Sequence, residues 1–262
     1  MAQVNYVRNK VAFLETKTPI YASFLGITGL LVIWQIICEL GWVSPMALPS
    51  PISIVAAGWE MAVSGDLLEN VLTSLVRILV GFVIGVFFGI IVGLLLGFSK
   101  WFEAIITPVF FSIYPIPKIA LLPLIVLWLG IGETPKITII ALGVFFPIVV
   151  NTYSGVKNVD PILIKAAVSF GASKFSVIRK AILPASLPMI FAGLKLAAST
   201  SLLLLVAAEM IASDKGVGSM ILHYGNLMIT SNLMAGVIVL SILGLLFNRG
   251  IQWLENKLLP WK

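Results

Sequence analysis

The chain has 262 residues, of which 60% are hydrophobic and 11% charged, and its mean hydropathy is +1.09. An average soluble domain is about 25% charged, so 17 basic and 11 acidic side chains are too few to cover a soluble globule of this length. The composition argues against a soluble enzyme and indicates an integral membrane protein. Because the sequence has one cysteine, Cys38, and one histidine, His223, it excludes an internal disulfide and a conventional zinc site within one chain.

The apolar segments predict an all-α, polytopic membrane protein. Residues 1–19 contain charged side chains and no apolar run of the signal-peptide type, and we interpret them as a cytosolic arm. Six later runs are long enough to cross about 30 Å of hydrocarbon as helices. They cover roughly residues 21–40, 71–98, 102–129, 137–156, 187–212 and 233–253. We therefore expect one transmembrane domain over residues 20–254, followed by a cytosolic tail at 255–262.

Two of these runs have unusual composition. The second carries a glycine at every fourth position, Gly81, Gly85, Gly89, Gly93 and Gly97, which predicts one helix face that another helix approaches closely. The third contains four prolines, at positions 108, 115, 117 and 123. A straight helix does not tolerate this proline content, so we expect a broken or kinked span that is buried in protein or lines a wet cavity.

The distribution of basic residues predicts the orientation. With the amino terminus inside, the inner segments hold twelve bases, namely Arg8, Lys10, Lys17, Lys100, Lys157, Lys165, Lys174, Arg179, Lys180, Arg249, Lys257 and Lys262. The outer loops hold only Lys136 and Lys215. This bias indicates that both termini are cytosolic. It also accounts for the net charge of +6 without a nucleic-acid partner. In the first outer loop, residues 52–63 have the apolar spacing of a short interfacial helix.

Ionisable side chains inside spans are costly and usually face a cavity or a partner. On this ground, and from the proline-rich break, the candidates for lining a translocation path are Arg77, Tyr114, Pro115, Pro117, Lys118, Asn151 and Glu209. Arg77 lies near the outer end of its span, where snorkelling to the interface is an alternative. For Glu209 the alternatives are a structural ion pair and a part of an outer gate. Lys195 lies near the inner surface, where it could contact headgroups or a partner.

The longest inner segment, residues 157–186, has the pattern of two short amphipathic helices at a sharp angle. Asp160 can cap the first helix, Gly171 can end it in a left-handed conformation, and Ser173 can cap the second. Leu183 and Pro184 are expected to end the second helix. The helices either lie flat on the inner leaflet or form a docking knob for a cytosolic partner.

This segment resembles the EAA loop of the membrane subunits of bacterial ABC importers. The matching residues are Lys165, Ala166 and Ala167, then Gly171, Ala172 and Ser173, and finally Leu183 and Pro184 at the family spacing. Lys165 stands where the family usually has glutamate, and Ala181 replaces the first residue of the usual hydrophobic pair. The resemblance extends in order over residues 48–51, 74–77, 115–123, 128–133, 208–210 and 216–218. Together these blocks resemble the nitrate, sulfonate, taurine and bicarbonate branch of the type I importers.

The resemblance implies a permease subunit of the bacterial inner membrane that forms a homodimer in the bilayer. Two ATP-binding subunits would dock on the EAA-like residues named above, and an extracytoplasmic binding protein would deliver the substrate. The sequence has no Walker-type phosphate-binding loop. ATP and magnesium are therefore expected on the partner, with no cofactor or metal bound by this chain and no catalytic residue in it.

The substrate expected from the resemblance is a small anion such as a sulfonate, nitrate or bicarbonate. The alternative is a permease of the same type for an organic vitamin or pyrimidine precursor. An ion-coupled secondary transporter is disfavoured because the sequence shows no internal repeat and because the 157–186 segment has no role in that class. A passive channel is disfavoured by the same segment, and a membrane enzyme by the lack of a nucleophile motif.

Overall fold

The computed structural model describes residues 20–260, with side chains from residue 24, and helices are the regular elements of that part. The predicted cytosolic arm, residues 1–19, lies outside the described residues. The helices are α1 (Ile20–Glu39), α2 (Pro51–Val63), α3 (Asp66–Phe98), α4 (Lys100–Ile113), α5 (Leu122–Leu129), α6 (Glu133–Lys157), α7 (Pro161–Ser169), α8 (Lys174–Val177), α9 (Leu183–Ala212), α10 (Val217–Asn226) and α11 (Thr230–Leu258). A 3₁₀ turn, Lys118–Leu121, precedes α5, and a π-helical turn, Ile178–Ile182, joins α8 to α9.

Four helical segments of the described chain are long and apolar enough to cross a membrane: α3, α6, the continuous helix Lys174–Ala212 and α11. The pair formed by α4 and Lys118–Leu129 adds a fifth, bent by 85° at its break. Helix α1 coincides with the first predicted span, residues 21–40, and is 20 residues long. The all-α polytopic fold predicted from the sequence is confirmed, and the proline-rich span is broken as expected.

The glycine stripe of α3 packs against α6. The two helices run parallel, because Gly81 meets Ile140 at one end of the contact and Gly97 meets Val156 at the other. A Cβ added at any of the five glycines would lie 2.5–2.8 Å from an α6 atom, closer than atoms approach in folded proteins. The stripe therefore brings the two helices into backbone-close contact, as the four-residue spacing predicts.

Helix α6 is the centre of the bundle, since it packs most extensively against both α3 and α9. Its internal proline, Pro147, has no N–H to donate to the Gly143 carbonyl one turn earlier. The hydroxyl of Thr200 on α9 lies 3.4 Å from that carbonyl oxygen. The same hydroxyl lies closer to the Ala197 carbonyl, at 3.0 Å, so its single proton is not committed to Gly143. Helix α6 nevertheless continues through the proline without a break.

A second apolar cluster joins the two short helices of the connections to the last long helix. Ile54 and Met61 of α2 pack with Val217 and Met220 of α10 and with Ala235 of α11. Helix α2 confirms the helix expected over residues 52–63, and the side chain of Ser50 caps it by accepting a bond from the Ser53 amide. The inner face of α2 packs on the bundle, so this helix is part of the tertiary fold and does not only lie at the membrane–water interface.

Several span ends differ from the expected ones because polar residues continue the helices. Helix α3 begins at Asp66 instead of residue 71, and α6 begins at Glu133 instead of residue 137. Helix α11 runs to Leu258, and both Glu255 and Leu259 are buried. The segment expected as a tail from residue 255 therefore begins as packed helix. Lys195 of α9 forms an ion pair with Glu255 and helps to hold this end.

Candidate functional site

A buried ionic cluster joins α3, α6 and α9 at the end of the bundle where α6 begins, called here the cluster end. Arg77 of α3 donates from Nε and Nη2 to the two carboxylate oxygens of Glu133, at 2.5 and 2.7 Å. Its Nη1 donates to Oε1 of Glu209 at 2.8 Å and to the Lys215 carbonyl at 2.6 Å. The Arg77 side chain is 3% exposed, so it does not snorkel to the surface. The guanidinium instead ties two carboxylates from different helices together.

Glu209 is fully buried in α9, and each of its oxygens accepts hydrogen bonds. Besides Arg77, the hydroxyl of Ser74 lies 2.8 and 3.0 Å from its two oxygens, and the amide of Gly218 donates at 2.8 Å. A Cβ at Gly216 would lie 2.3 Å from Glu209 Oε1. Glycine at this position is therefore required for the connection 213–216 to cover the carboxylate, and Glu209 is a structural ion-pair partner of Arg77.

Lys136 completes the cluster. Its ammonium group donates to Glu133 Oε1 at 2.8 Å and to the Ser213 hydroxyl at 3.3 Å. Lys136 is expected in an outer loop from the sequence, but it lies in the first turn of α6 and is 4% exposed. Next to it, Lys215 in the connection is paired with Glu69, and the bond to this carboxylate raises the pKa of Lys215. Within the cluster, the positive charges of Arg77 and Lys136 are balanced by the negative charges of Glu133 and Glu209.

A cavity of about 340 Å³ opens beside the cluster. It is lined by Arg77, Glu133 and Lys136, by residues of the α5–α6 connection and by residues 212–215. The connection has positive φ angles at Gly130 and Gly132, and between them Ile131 is 93% exposed. Glu133 therefore stands between the two buried bases and an open space.

The break between α4 and α5 contains four of the path candidates, namely Tyr114, Pro115, Pro117 and Lys118, whose ammonium group lies at its centre. Lys118 Nζ donates to the carbonyls of Tyr114 at 2.6 Å, Ile116 at 2.8 Å and Ile113 at 3.3 Å. It also lies 4.1 Å from the ring centroid of Phe146 on α6. All three ammonium donors are used inside the turn, so Lys118 replaces backbone donors that the break and its prolines remove.

Pro115 and Pro117 lie within this turn and are exposed, whereas Asn151 lies elsewhere. The Asn151 amide donates to the Pro147 carbonyl of its own helix at 2.9 Å. A Cβ at Gly193 of α9 would approach Asn151 Cβ to 2.7 Å. Asn151 therefore sits at the crossing of α6 and α9 and not in the break.

The segment 157–186 forms the helix pair that its caps predict, at the opposite end of the bundle, called here the loop end. Asp160 accepts a bond from the Ile162 amide at 2.8 Å, and Ser173 accepts one from the Ser176 amide at 3.3 Å. Gly171 has φ +74° and ends α7 in the left-handed conformation. Phe170 is 93% exposed, so the turn between the two helices presents a large apolar side chain.

The end expected for the second short helix, at Leu183 and Pro184, is wrong. Helix α8 continues through the π turn into α9, and Lys174–Ala212 is one helix of 39 residues. Pro184 therefore lies inside a continuous helix, directly after the wider π turn. The other EAA-like residues, Lys165, Ala166 and Ala167 on α7 and Ala172 after it, precede this helix. A displacement of α8 is therefore carried directly into a span.

Sequence reasoning missed Ser74, Glu133 and Lys136 as members of the ionic cluster. Two of them had a local signal. Proline is favoured in the first turn of a helix, so Pro135 indicates that α6 begins just before it, and Glu133 and Lys136 then share one face at a spacing of three residues. The pairing with Arg77, 56 positions away from Glu133, has no local signal.

Comparison with known proteins decides the family. Residues 85–260, more than half of the chain, match the family described as binding-protein-dependent transport system inner membrane component. The chain belongs to this family. It is a permease subunit of an ABC importer and a multi-pass inner-membrane protein that works with an ATP-binding subunit and a substrate-binding protein. ATP is hydrolysed in that separate subunit.

Several relatives of this permease are similar over most of their length. The putative aliphatic sulfonates transport permease protein SsuC of Bacillus subtilis is 38% identical over 89% of this chain and 84% of its own. The protein of that name from Escherichia coli is 36% identical over 89% of both chains. The taurine transport system permease protein TauC of Escherichia coli is 37% identical over 88% of this chain and 86% of its own.

Solved structures share the fold of the permease. An inward-facing form of the MetNI methionine ABC transporter has a TM-score of 0.61 at 22% identity and covers 73% of this chain and 95% of that one. An amino acid ABC transporter crystallised with histidines has a TM-score of 0.57 at 17% identity, covering 76% and 96%. The type I importer fold expected from the sequence is confirmed.

Proposed function

We propose that this permease imports a small organic sulfonate. The proposal on substrate rests on the relatives named for aliphatic sulfonates and for taurine, which match nearly nine-tenths of the chain. A sulfonate is a permanent anion at neutral pH. Two bases at the cluster end, Arg77 and Lys136, lie beside the 340 Å³ cavity and fit an anionic substrate class. The translocation path passes the break that carries Tyr114, Pro115, Pro117 and Lys118.

The ATP-binding subunit docks on the 157–186 helix pair. The main support for this docking site is the continuity of the helix Lys174–Ala212, because a subunit bound at α7 and α8 moves a whole span. Phe170, Ile162 and Phe175 are strongly exposed on the pair and offer an apolar anchor for a groove. ATP and magnesium bind on that subunit, since this chain has no phosphate-binding loop.

The complete importer contains two copies of this permease, two ATP-binding subunits and one binding protein. Helix α4 offers a surface for contact with the second copy, because Phe110 is its only buried residue within the described chain. The loop end faces the cytosol, and the cluster end faces the extracytoplasmic side, where the binding protein docks. This orientation agrees with the excess of bases in the segments assigned to the inside.

Replacement of Gly171 by valine tests the docking element. The φ of +74° is unfavourable for a β-branched residue, and we expect a strain of about 1–3 kcal/mol that distorts the turn between α7 and α8. The Gly171→Val permease should insert normally but lose co-purification of the ATP-binding subunit, and ATP-dependent sulfonate uptake by reconstituted vesicles should fall at least about tenfold.

Gly130→Val is the matched control. Gly130 has a similar φ of +79° with ψ −179°, a conformation that is also unfavourable for valine, and neither glycine has an atom within 4 Å of its built Cβ. The control therefore introduces backbone strain at the other end of the bundle. It should leave the ATP-binding subunit attached. Normal co-purification and uptake with Gly171→Val would refute docking at this turn, and uptake that needs no ATP would refute the importer mechanism itself.

A further inference from the structure

The carboxylate of Glu133 is the accessible member of the ionic cluster. Its side chain is 56% exposed, whereas those of Arg77, Lys136 and Glu209 are 3, 5 and 0% exposed. Glu209 cannot leave without opening the packing of α9, because the connection 213–216 covers it. Glu133 borders the cavity and can rotate into water there. Of the two acids that neutralise the buried bases, Glu209 is therefore fixed, whereas Glu133 can be replaced by another anion.

The donors around Glu133 match an anion with three oxygens. Arg77 Nε, Arg77 Nη2 and Lys136 Nζ converge on the carboxylate at 2.5, 2.7 and 2.8 Å. Two of the three share Oε1, because a carboxylate has only two oxygens. A sulfonate can offer one oxygen to each donor, and guanidinium and ammonium groups bind such oxyanions through charge-assisted hydrogen bonds.

Exchange of one anion for another leaves the charge of the cluster unchanged. Arg77 and Lys136 carry two positive charges, and Glu209 supplies one negative charge in either case. When Glu133 swings out, its carboxylate gains full hydration, and the incoming anion takes over its bonds to Arg77 and Lys136, while Arg77 keeps its bond to Glu209. Without a replacement anion, Lys136 would be left buried without a carboxylate partner, which is strongly unfavourable. The cavity of about 340 Å³ beside the donors accommodates the short alkyl part of the incoming molecule.

We propose that this pocket is an anion-binding site in which Glu133 occupies the position of the sulfonate group of the substrate. The small organic anion displaces Glu133 from Arg77 and Lys136 and thereby frees the start of α6 from α3. The identity of the anion as a transported sulfonate rests on the proposed function, whereas the existence of the site rests on the geometry alone.

Chemical rescue by methanesulfonate tests the site. The variant Glu133→Ala leaves the Arg77 donors and Lys136 facing an open pocket, so thermal unfolding of the detergent-solubilised permease should occur at a lower temperature than in the wild type. Methanesulfonate should restore it, with a rise of about 5 °C at a hundredfold excess over its dissociation constant. Methylammonium at the same concentration supplies a cation of similar size and should have no such effect.

Glu209→Ala is the matched control, since it removes the other carboxylate of the same guanidinium from a fully buried position. It should be destabilised and not rescued. The double variant Glu133→Ala/Lys136→Met should also lose the rescue, because one of the three donors is gone. If Glu133→Ala cannot be purified folded, recovery of folded protein with and without methanesulfonate during purification is the same comparison.

An equal methanesulfonate effect on the wild type, Glu133→Ala and Glu209→Ala, or no effect on Glu133→Ala, would overturn the proposal and leave the cluster purely structural. This failure is separable from that of the proposed function. If reconstituted importer still transports sulfonates while rescue fails, only the anion site is wrong. If rescue succeeds while another class of solute is transported, the site stands and the substrate assignment falls.

Discussion

At the residue scale, buried charges in this permease are held by complete sets of partners. Arg77 uses three of its nitrogens on two carboxylates and a carbonyl, and Glu209 accepts bonds from a guanidinium, a hydroxyl and an amide. Desolvation of each ion costs several kcal/mol, and only such complete pairing offsets it. The cluster therefore specifies how α3, α6 and α9 meet more than it stabilises them.

Lys118 provides a residue-scale prediction. Its ammonium group donates to the carbonyls of Ile113, Tyr114 and Ile116 at the break in the span. The Ile113 carbonyl also accepts a bond from the Ile116 amide. Lys118→Met keeps the length of the side chain but removes those donors, and we expect a loss of about 1–3 kcal/mol in the free energy of unfolding. Chemical denaturation in detergent, followed by circular dichroism, measures it.

Lys100→Met is the control for the removal of a lysine charge from the same span, because Lys100 is exposed at the start of α4. The change that Lys100→Met causes in the free energy of unfolding should stay within about 0.5 kcal/mol. If the two variants unfold at the same denaturant concentration, the ammonium group of Lys118 does not stabilise the break. That result would favour a role for Lys118 as a charge that lines the translocation path.

At the element scale, the contact between α3 and α6 is fixed by the absence of side chains. Gly89 faces Ile148 so closely that an added Cβ would lie 2.8 Å from two of its carbon atoms. Gly89→Ala must push the helices apart, and we expect a destabilisation of about 1–3 kcal/mol despite the higher helix propensity of alanine. The same unfolding measurement in detergent tests it.

Gly250→Ala is the matched substitution in α11, since no atom lies within 4 Å of its built Cβ. There the gain in helix propensity is unopposed, and the variant should be more stable by about 0.5–1 kcal/mol. Opposite signs for the two substitutions are the expected result. A stabilising Gly89→Ala would show that the glycine stripe tolerates a wider separation of the helices.

At the scale of the whole molecule, what the sequence predicts is local and what it misses is tertiary. The apolar runs, the glycine spacing and the caps at Asp160 and Ser173 are encoded within a few residues, and the helices follow them. The ionic cluster joins positions as far apart as 135 residues, and no local pattern reveals that pairing.

Two further misses each lie within a single helix. Helix α10 lies between the fifth and sixth predicted spans, where the sequence analysis predicts no helix, yet Val217, Met220, Ile221 and Tyr224 have the spacing of one apolar helix face, which is a local signal. The sequence predicts a helix end at Pro184, because proline normally interrupts a helix. In the structure a π turn at Ile178–Ile182 precedes it, and the helix continues.

The orientation of the whole bundle is the remaining prediction, and it decides whether the cluster end can receive substrate from the binding protein. In a Cys38→Ala background, Ser44→Cys and Ser173→Cys place single exposed thiols near α2 and in the loop between α7 and α8. With both termini cytosolic, an impermeant maleimide should label Ser44→Cys in intact cells and Ser173→Cys only after permeabilisation. The reverse pattern would place the docking helices outside and make ATP-driven import through this chain impossible, because ATP is available to its partner only in the cytosol.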